Sequence, residues 1–229
     1  MRNINLSKQH VKKCIENKNF DVLKQLLANN PNLANIRITI PFNSVSRATA
    51  HPLHRICDAV NIGKITDEDA VKFAKIFLAN GAHIDGDKIN GDGTPLLAAA
   101  SLHAEKVGVF YIENGADIHY TYKNDGVSPL HWASYCGLHK LVEKLIISNA
   151  SINQLDTTYK STPLSWAIHY LQMNAITKPR NQMDCIKLLL NNGADTKKLS
   201  KEKSDYLIAL AHNDRELKHI LTRLDILDL

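Results

Sequence analysis

The dipeptide Pro-Leu recurs at Pro52-Leu53, Pro95-Leu96, Pro129-Leu130 and Pro163-Leu164, with separations of 43, 34 and 34 residues. Self-similarity at a period of roughly 20–50 residues marks a chain built from copies of one supersecondary unit, each packing on its neighbours. A second marker keeps step with the first: Asn80-Gly81-Ala82, Asn114-Gly115-Ala116 and Asn192-Gly193-Ala194, with Ser148-Asn149-Ala150 where another copy falls due. From proline to this loop the chain runs 20 residues between Pro95 and Gly115 but 30 between Pro163 and Gly193. Against the 34-residue separation that two of the three intervals share, two units therefore carry insertions of about ten residues, one near 58–69 and one near 172–183.

Each unit has a physical reading. A proline after Thr94, Ser128 or Thr162 suits the first position of a helix, where its missing N–H would have lacked a partner and the preceding hydroxyl caps the turn. Small residues follow, as in Leu97-Ala98-Ala99-Ala100 and Trp132-Ala133-Ser134, so a short inner helix can lie close to its neighbours. A second, apolar helix comes next, as in 141–147 and 185–190. Gly81, Gly115 and Gly193 then supply the left-handed backbone that closes a helix without a Cβ penalty, and Asn149 is expected to adopt it where the glycine is missing.

These residues resemble the ankyrin repeat. Asp92-Gly93-Thr94-Pro95-Leu96 and Asp125-Gly126-Val127-Ser128-Pro129-Leu130-His131-Trp132-Ala133 are similar to that family's turn and first helix, and Asn114-Gly115-Ala116-Asp117-Ile118 to its return loop. The resemblance runs from about 49 to 196. It implies an all-α fold: an ankyrin-repeat solenoid of paired antiparallel helices, with β-turn finger loops and helical caps, forming one domain over 1–229. Within it, 1–47 is the N-terminal cap or divergent repeat with an extended finger. Repeats follow at 48–89 (with insertion), 90–123, 124–157 and 158–197 (with insertion), and 198–229 is the C-terminal helical cap. Residues 11–27 read as two short helices and 206–226 as the closing cap, since end units must show water a polar side. Ile36-Arg37-Ile38-Thr39-Ile40 alternates like a strand before Pro41-Phe42-Asn43-Ser44 breaks it, so 36–50 reads as an extended first finger, in one version a hairpin.

Charge and cysteine usage exclude several classes. The net charge is +5, yet basic and acidic residues are interleaved rather than blocked, so no nucleic-acid partner is expected. The densest basic stretch, Lys8, Lys12, Lys13, Lys18 and Lys24 against Glu16 and Asp21, reads as a solvated face. Cys14, Cys57, Cys136 and Cys185 show no CxxC spacing, which argues against a zinc knuckle or a disulfide framework and fits a reducing cytosol. The N-terminus opens on polar residues and no stretch approaches the roughly 18 apolar residues of a membrane span. A cytoplasmic protein with no membrane partner is expected, with secretion into a host cell as the alternative setting. No phosphate-cradling glycine loop is present, since Gly91-Asp92-Gly93 is explained by the repeat, so no cofactor is expected.

In the resembled family, ligands lie along the concave side made by finger tips and the exposed face of each inner helix. By register, the residues six and seven after each proline are Asp58 and Ala59, Ser101 and Leu102, Tyr135 and Cys136, His169 and Tyr170. Three after it come Arg55, Ala98, Trp132 and Trp166, and the finger tips offer Asn124, Asp125, Val127, Tyr159 and Ser161. Large amphipathic rings are over-represented at protein interfaces. Partner binding is therefore assigned to Trp132, Tyr135, Tyr159, Trp166, His169 and Tyr170. The alternative, that both tryptophans merely fill space between neighbouring inner helices, stays open, and Tyr120 and Tyr122 are undecided.

His51 and His54 lie three residues apart, but His54 and His131 occupy the family's usual histidine position, where the ring supports the turn. No further ligands of suitable spacing accompany His51, so no metal is expected. Cys136 with His139 or His169 matches no nucleophilic signature, and no catalytic residue is assigned. Asp67-Glu68-Asp69 after Thr66 reads as the acidic first turn of an extended second helix, and Lys178-Pro179-Arg180 as a basic tip suited to an acidic partner surface. The expectation is a monomeric, non-enzymatic adaptor, scaffold or inhibitor that binds one protein partner. The alternative is a bacterial effector or immunity protein using the same surface, suggested by the lysine-, asparagine- and isoleucine-rich composition. An enzyme with a Cys/His site ranks third.

Overall fold

Each Pro-Leu pair opens a helix, and the residue before it is the cap. The computed structural model describes residues 2–87, 93–123, 125–173 and 181–227, with only the backbone for 2–6. Asn124, Asp92 and the Lys178-Pro179-Arg180 tip lie outside the described residues. The chain divides into two compact units, Met1–Tyr120 and Thr121–Leu229.

The first unit holds α1 (Arg2–Glu16), α2 (Phe20–Asn29), a 3-10 turn (Pro31–Asn35), β1 (Ile38–Thr39), β2 (Thr49–Ala50), α3 (Pro52–Asn61), α4 (Asp67–Ala79), α5 (Pro95–Ser101) and α6 (Glu105–Glu113). The extended finger is a hairpin: β1 and β2 pair antiparallel, Ile38 opposite Ala50 and Thr39 opposite Thr49. Leu23, Leu27, Leu53, Ile56, Phe73, Phe77 and Leu96 form the buried core, each apolar side chain contributing about 1.5–3 kcal/mol relative to exposure. Tyr111 is buried with them because its hydroxyl donates to the Leu53 carbonyl at 2.7 Å, which satisfies the one polar atom that burial would penalise.

The first insertion lengthens both helices of its repeat. Here α3 has 10 residues and α4 has 13, against 7 in α5 and 9 in α6. Thr66 caps α4 in a reciprocal box with Asp69, and three acids occupy the first turn, where the helix dipole favours them.

The second unit holds α7 (Pro129–Cys136), α8 (His139–Ile147), α9 (Pro163–Met173), α10 (Gln182–Asn191), a 3-10 turn (Thr196–Lys198), α11 (Lys201–Ala211) and α12 (Arg215–Arg223). Ser128 Oγ accepts from the His131 N–H and Thr162 Oγ1 from the Ser165 N–H, as Thr94 Oγ1 does from Leu97 in the first unit. Asn149 takes the left-handed conformation at φ 66°, as its place in the repeat requires. The C-terminal cap is the pair α11 and α12, tied to α10 by Lys187, whose ammonium meets Asp214 and Glu216 at 2.8 Å each.

Three expectations about surface exposure are corrected. Seven residues is about two helical turns, so the seventh residue after a proline returns to the proline's side of the helix, where Leu102 and Tyr170 are half-buried and the two smaller residues go further in. Cys136 and Ala59 are accordingly buried rather than presented. Val127 is buried and is no finger tip, because its N–H donates to Asp125 Oδ1 and its carbonyl accepts from the Tyr122 N–H, closing the turn around it. The lysines of α1 and its following turn are only partly a solvated face: Lys12 donates to the Asn43 carbonyl at 3.1 Å and Lys18 meets Asp69 at 2.8 Å.

Candidate functional site

Trp132 and Tyr135 are three residues apart in α7, and Trp166 and His169 three apart in α9, so each pair shares one helix face. The two helices are neighbours, and their faces meet edge-on. Ring centroids lie 5.3 Å apart for Trp132 and Trp166, 6.0 Å for Trp132 and Tyr135, and 5.9 Å for Tyr135 and Trp166. Tyr170 closes on Tyr135 at 5.2 Å, and Tyr159 reaches Trp166 from the preceding finger at 6.4 Å. All five contacts are edge-to-face, the arrangement the aromatic quadrupole favours over flat stacking.

The rings enclose a hollow of about 360 Å³ whose walls include Trp132, Tyr135, Tyr159, Trp166 and His169. Five of the six assigned residues thus line one concavity, and Tyr170 buttresses it through Tyr135. The tryptophans answer both readings in part, since each is half-buried against its neighbours and each contributes wall to the hollow. Tyr159 is 71% exposed and His169 is exposed as well.

The finger behind the hollow is held by Asp156. Its carboxylate is buried and accepts from the backbone N–H groups of Tyr159 and Ser161 and, at 3.0 Å, from the Trp166 indole N–H. Burial works to raise this carboxyl, but those three donors outweigh it and hold it below the ordinary carboxylate value. His131 ties the same finger from below: Nδ1 accepts from the Ser128 N–H at 3.2 Å, and Nε2 lies 3.1 Å from the Ser161 carbonyl. Burial pushes this ring below its usual value, against the opposing pull of the Ser161 carbonyl.

Two wall residues escaped the sequence reading. Ser165 follows Pro163 by two, and Lys203 lies in the first turn of α11, donating from Nζ to Ser165 Oγ at 2.8 Å. A signal existed: Ser200 caps α11 through the Lys203 N–H just as Thr162 caps α9 through Ser165. The cap therefore continues the repeat register by one more inner helix.

The other candidates are structural. His51 takes the place that Thr94, Ser128 and Thr162 hold elsewhere, its Nδ1 accepting from the Leu53 N–H at 3.2 Å and its Nε2 lying 3.0 Å from Asn35 Oδ1. The residue before the proline thus also supports that repeat's turn. Cys136 is 3% exposed while His169 faces outward. Among the described residues no three His, Cys, Asp or Glu side chains converge on a cation site, and no helix is long and apolar enough to cross a membrane.

Comparison with known proteins bears on the fold. A family model described as ankyrin repeats (3 copies) matches residues 65–156 and 97–200. The crystal structure of the human ASB11 ankyrin repeat domain aligns with a TM-score of 0.58 at 24% identity, over 96% of this chain and 84% of that chain.

Proposed function

Because the chain belongs to the ankyrin-repeat family, whose model covers more than half of it, we propose that it binds one protein partner through the hollow formed by Trp132, Tyr135, Tyr159, Trp166 and His169, with Tyr170 behind. Ankyrin repeats are in general protein–protein interaction modules. The observation that carries the assignment is the mutual support of the rings: each is fixed edge-on by a neighbour and still leaves surface toward the hollow. Preorganised aromatic area loses little side-chain entropy on binding, which is why such residues dominate interface energetics.

A binding role, as monomeric adaptor, scaffold or inhibitor, is favoured over catalysis by the surroundings of the one hydroxyl–amine pair in the hollow. Ser165 and Lys203 stand at nucleophile–base spacing, but the N–H groups beside Ser165 are already engaged: its own with Thr162 Oγ1 at 3.3 Å and that of Trp166 with the Thr162 carbonyl at 3.0 Å. Those two N–H groups therefore offer that hydroxyl no oxyanion hole. The test is affinity purification with the wild type and a Trp132→Ala/Tyr159→Ala variant of equal thermal midpoint. A partner retained by the wild type and lost from the variant supports the site; identical partners at equal abundance remove it.

A further inference from the structure

The hollow is apolar on most of its wall and cationic at one point. Lys203 is half-buried, and among the described residues its ammonium has one hydrogen bond, to Ser165 Oγ at 2.8 Å, and no carboxylate within ion-pair distance. An ammonium has three donors, so two remain. Two other half-buried lysines have acids beside them: Lys187 has Asp214 and Glu216, and Lys12 has Glu16 at 3.7 Å. The acids whose charge Lys203 feels are committed elsewhere, Asp156 to its three N–H donors and Glu202 to the Gln172 amide at 3.4 Å. Burial depresses the Lys203 amine below its ordinary value despite the opposing pull of those two acids. A cation partly stripped of water and short of counter-charge gains more from an incoming carboxylate than a solvated one does.

Resting on the reading of this hollow as the partner site, we infer that its occupant is an extended acidic segment of the partner protein, with an apolar side chain between the rings and an adjacent carboxylate on Lys203. The geometry argues against the opposite charge. Aromatic walls attract cations, but here one cation already forms part of the wall and a second would meet its repulsion. The volume lies near the lower end of the roughly 300–1,000 Å³ of ligand pockets, which suits a side chain or two rather than a folded surface.

Selection of a random displayed-peptide library on the full chain, followed by titration of synthetic winners, tests this. Enriched sequences are expected to place Asp or Glu within two residues of an aromatic or aliphatic residue. Their affinity should fall at least about tenfold with Lys203→Met, and replacing the peptide acid by its amide should abolish the difference between wild type and variant. Winners that bind Lys203→Met as tightly as the wild type, winners rich in Lys or Arg, or no winners at all overturn the acidic occupant. Trp132→Ala separates the two readings: peptides insensitive to Lys203→Met but lost with Trp132→Ala leave the hollow as the site, and peptides indifferent to Trp132→Ala remove the hollow itself.

Discussion

The indole N–H of Trp166 donates to Asp156 Oδ2 at 3.0 Å, so the central ring of the hollow is oriented by the finger that precedes its own helix. Asp156→Ala would leave that N–H and the backbone donors of Tyr159 and Ser161 without their acceptor. Hydrogen bonds to a charged group are worth about 1.5–3 kcal/mol, so a loss of about 3 kcal/mol is expected. Trp132 and Trp166 are the chain's only tryptophans and both lie in the second unit, so urea unfolding followed by their emission reads it directly. Because the folded carboxyl is held low, the wild type's advantage should be complete above about pH 4 and shrink as the pH falls below that. An advantage that grew on acidification would contradict the assigned contacts.

What was legible in the sequence was local backbone chemistry. Pro52, Pro95, Pro129 and Pro163 each open a helix because, within a helix, a fixed φ and a missing N–H suit the first turn and not the interior. The clustering of Trp132, Tyr135, Trp166 and His169 follows from the same register, three residues apart on helices one repeat apart. Exposure was less legible. Cys136 and Val127 are buried because of helix phase and a turn closed by side-chain and backbone bonds, neither of which a repeat alignment displays. Lys203 escaped because its entry into the hollow depends on how α11 packs against α9, a tertiary relationship that the proline marker does not carry into the cap.

Gly137 ends α7 at φ 70°, and a Cβ there would meet the Gln182 side-chain amide at 2.8 Å. Gln182 is fully buried and donates from Nε2 to the Tyr135 carbonyl at 3.1 Å, so Gly137→Ala would push that buried amide off the carbonyl beneath the hollow. Gly193 in the same unit has φ 90° and open space at its Cβ position. Gly193→Ala is expected to cost only the left-handed strain, about 1–2 kcal/mol, and Gly137→Ala at least about 1 kcal/mol more. Tryptophan-monitored unfolding of both variants and of Gly137→Ala/Gln182→Ala isolates the steric part, which appears as recovery in the double variant.

His51 carries an acid-sensitive share of the first unit's stability. Burial first, then repulsion from His83, lowers its pKa from 6.5 to about 4, with Asp87 opposing and His54 and Arg37 adding smaller repulsions. The neutral ring is the one that caps α3, so the unfolded chain takes up a proton that the folded chain refuses. Stability is therefore fully present above about pH 6.5 and is lost as the pH falls toward 4; at about 1.4 kcal/mol per pH unit this amounts to about 3 kcal/mol. Amide hydrogen exchange at Leu53 and Arg55, compared at pH 7 and pH 4.5 in the wild type and in His51→Asn, measures it. Asparagine retains a capping oxygen but does not titrate, so the acid-induced loss of protection should be smaller in the variant. A His51 ring titrating near 6.5 by NMR would refute the assignment.

Asn149 stands at φ 66° where Gly81, Gly115 and Gly193 stand at 82°, 84° and 90° in the sister loops. The surrounding bonds are the same in kind: the Asn149 N–H donates to the Ile146 carbonyl and the Ala150 N–H to that of Leu145, both at 2.9 Å, as Gly115 and Ala116 donate to Ile112 and Tyr111. The backbone therefore demands the left-handed conformation whatever the residue, and asparagine tolerates it better than any β-branched side chain. Asn149→Gly should leave the second unit's stability within about 0.5 kcal/mol or raise it, because relief of strain is offset by the greater freedom of glycine in the unfolded chain. Asn149→Val should cost about 1–2 kcal/mol at this solvent-exposed position. Urea midpoints read from tryptophan emission give the order directly. A valine variant as stable as asparagine would mean that the loop leaves the left-handed region on substitution, and the equivalence of this loop with its glycine-bearing counterparts would fail.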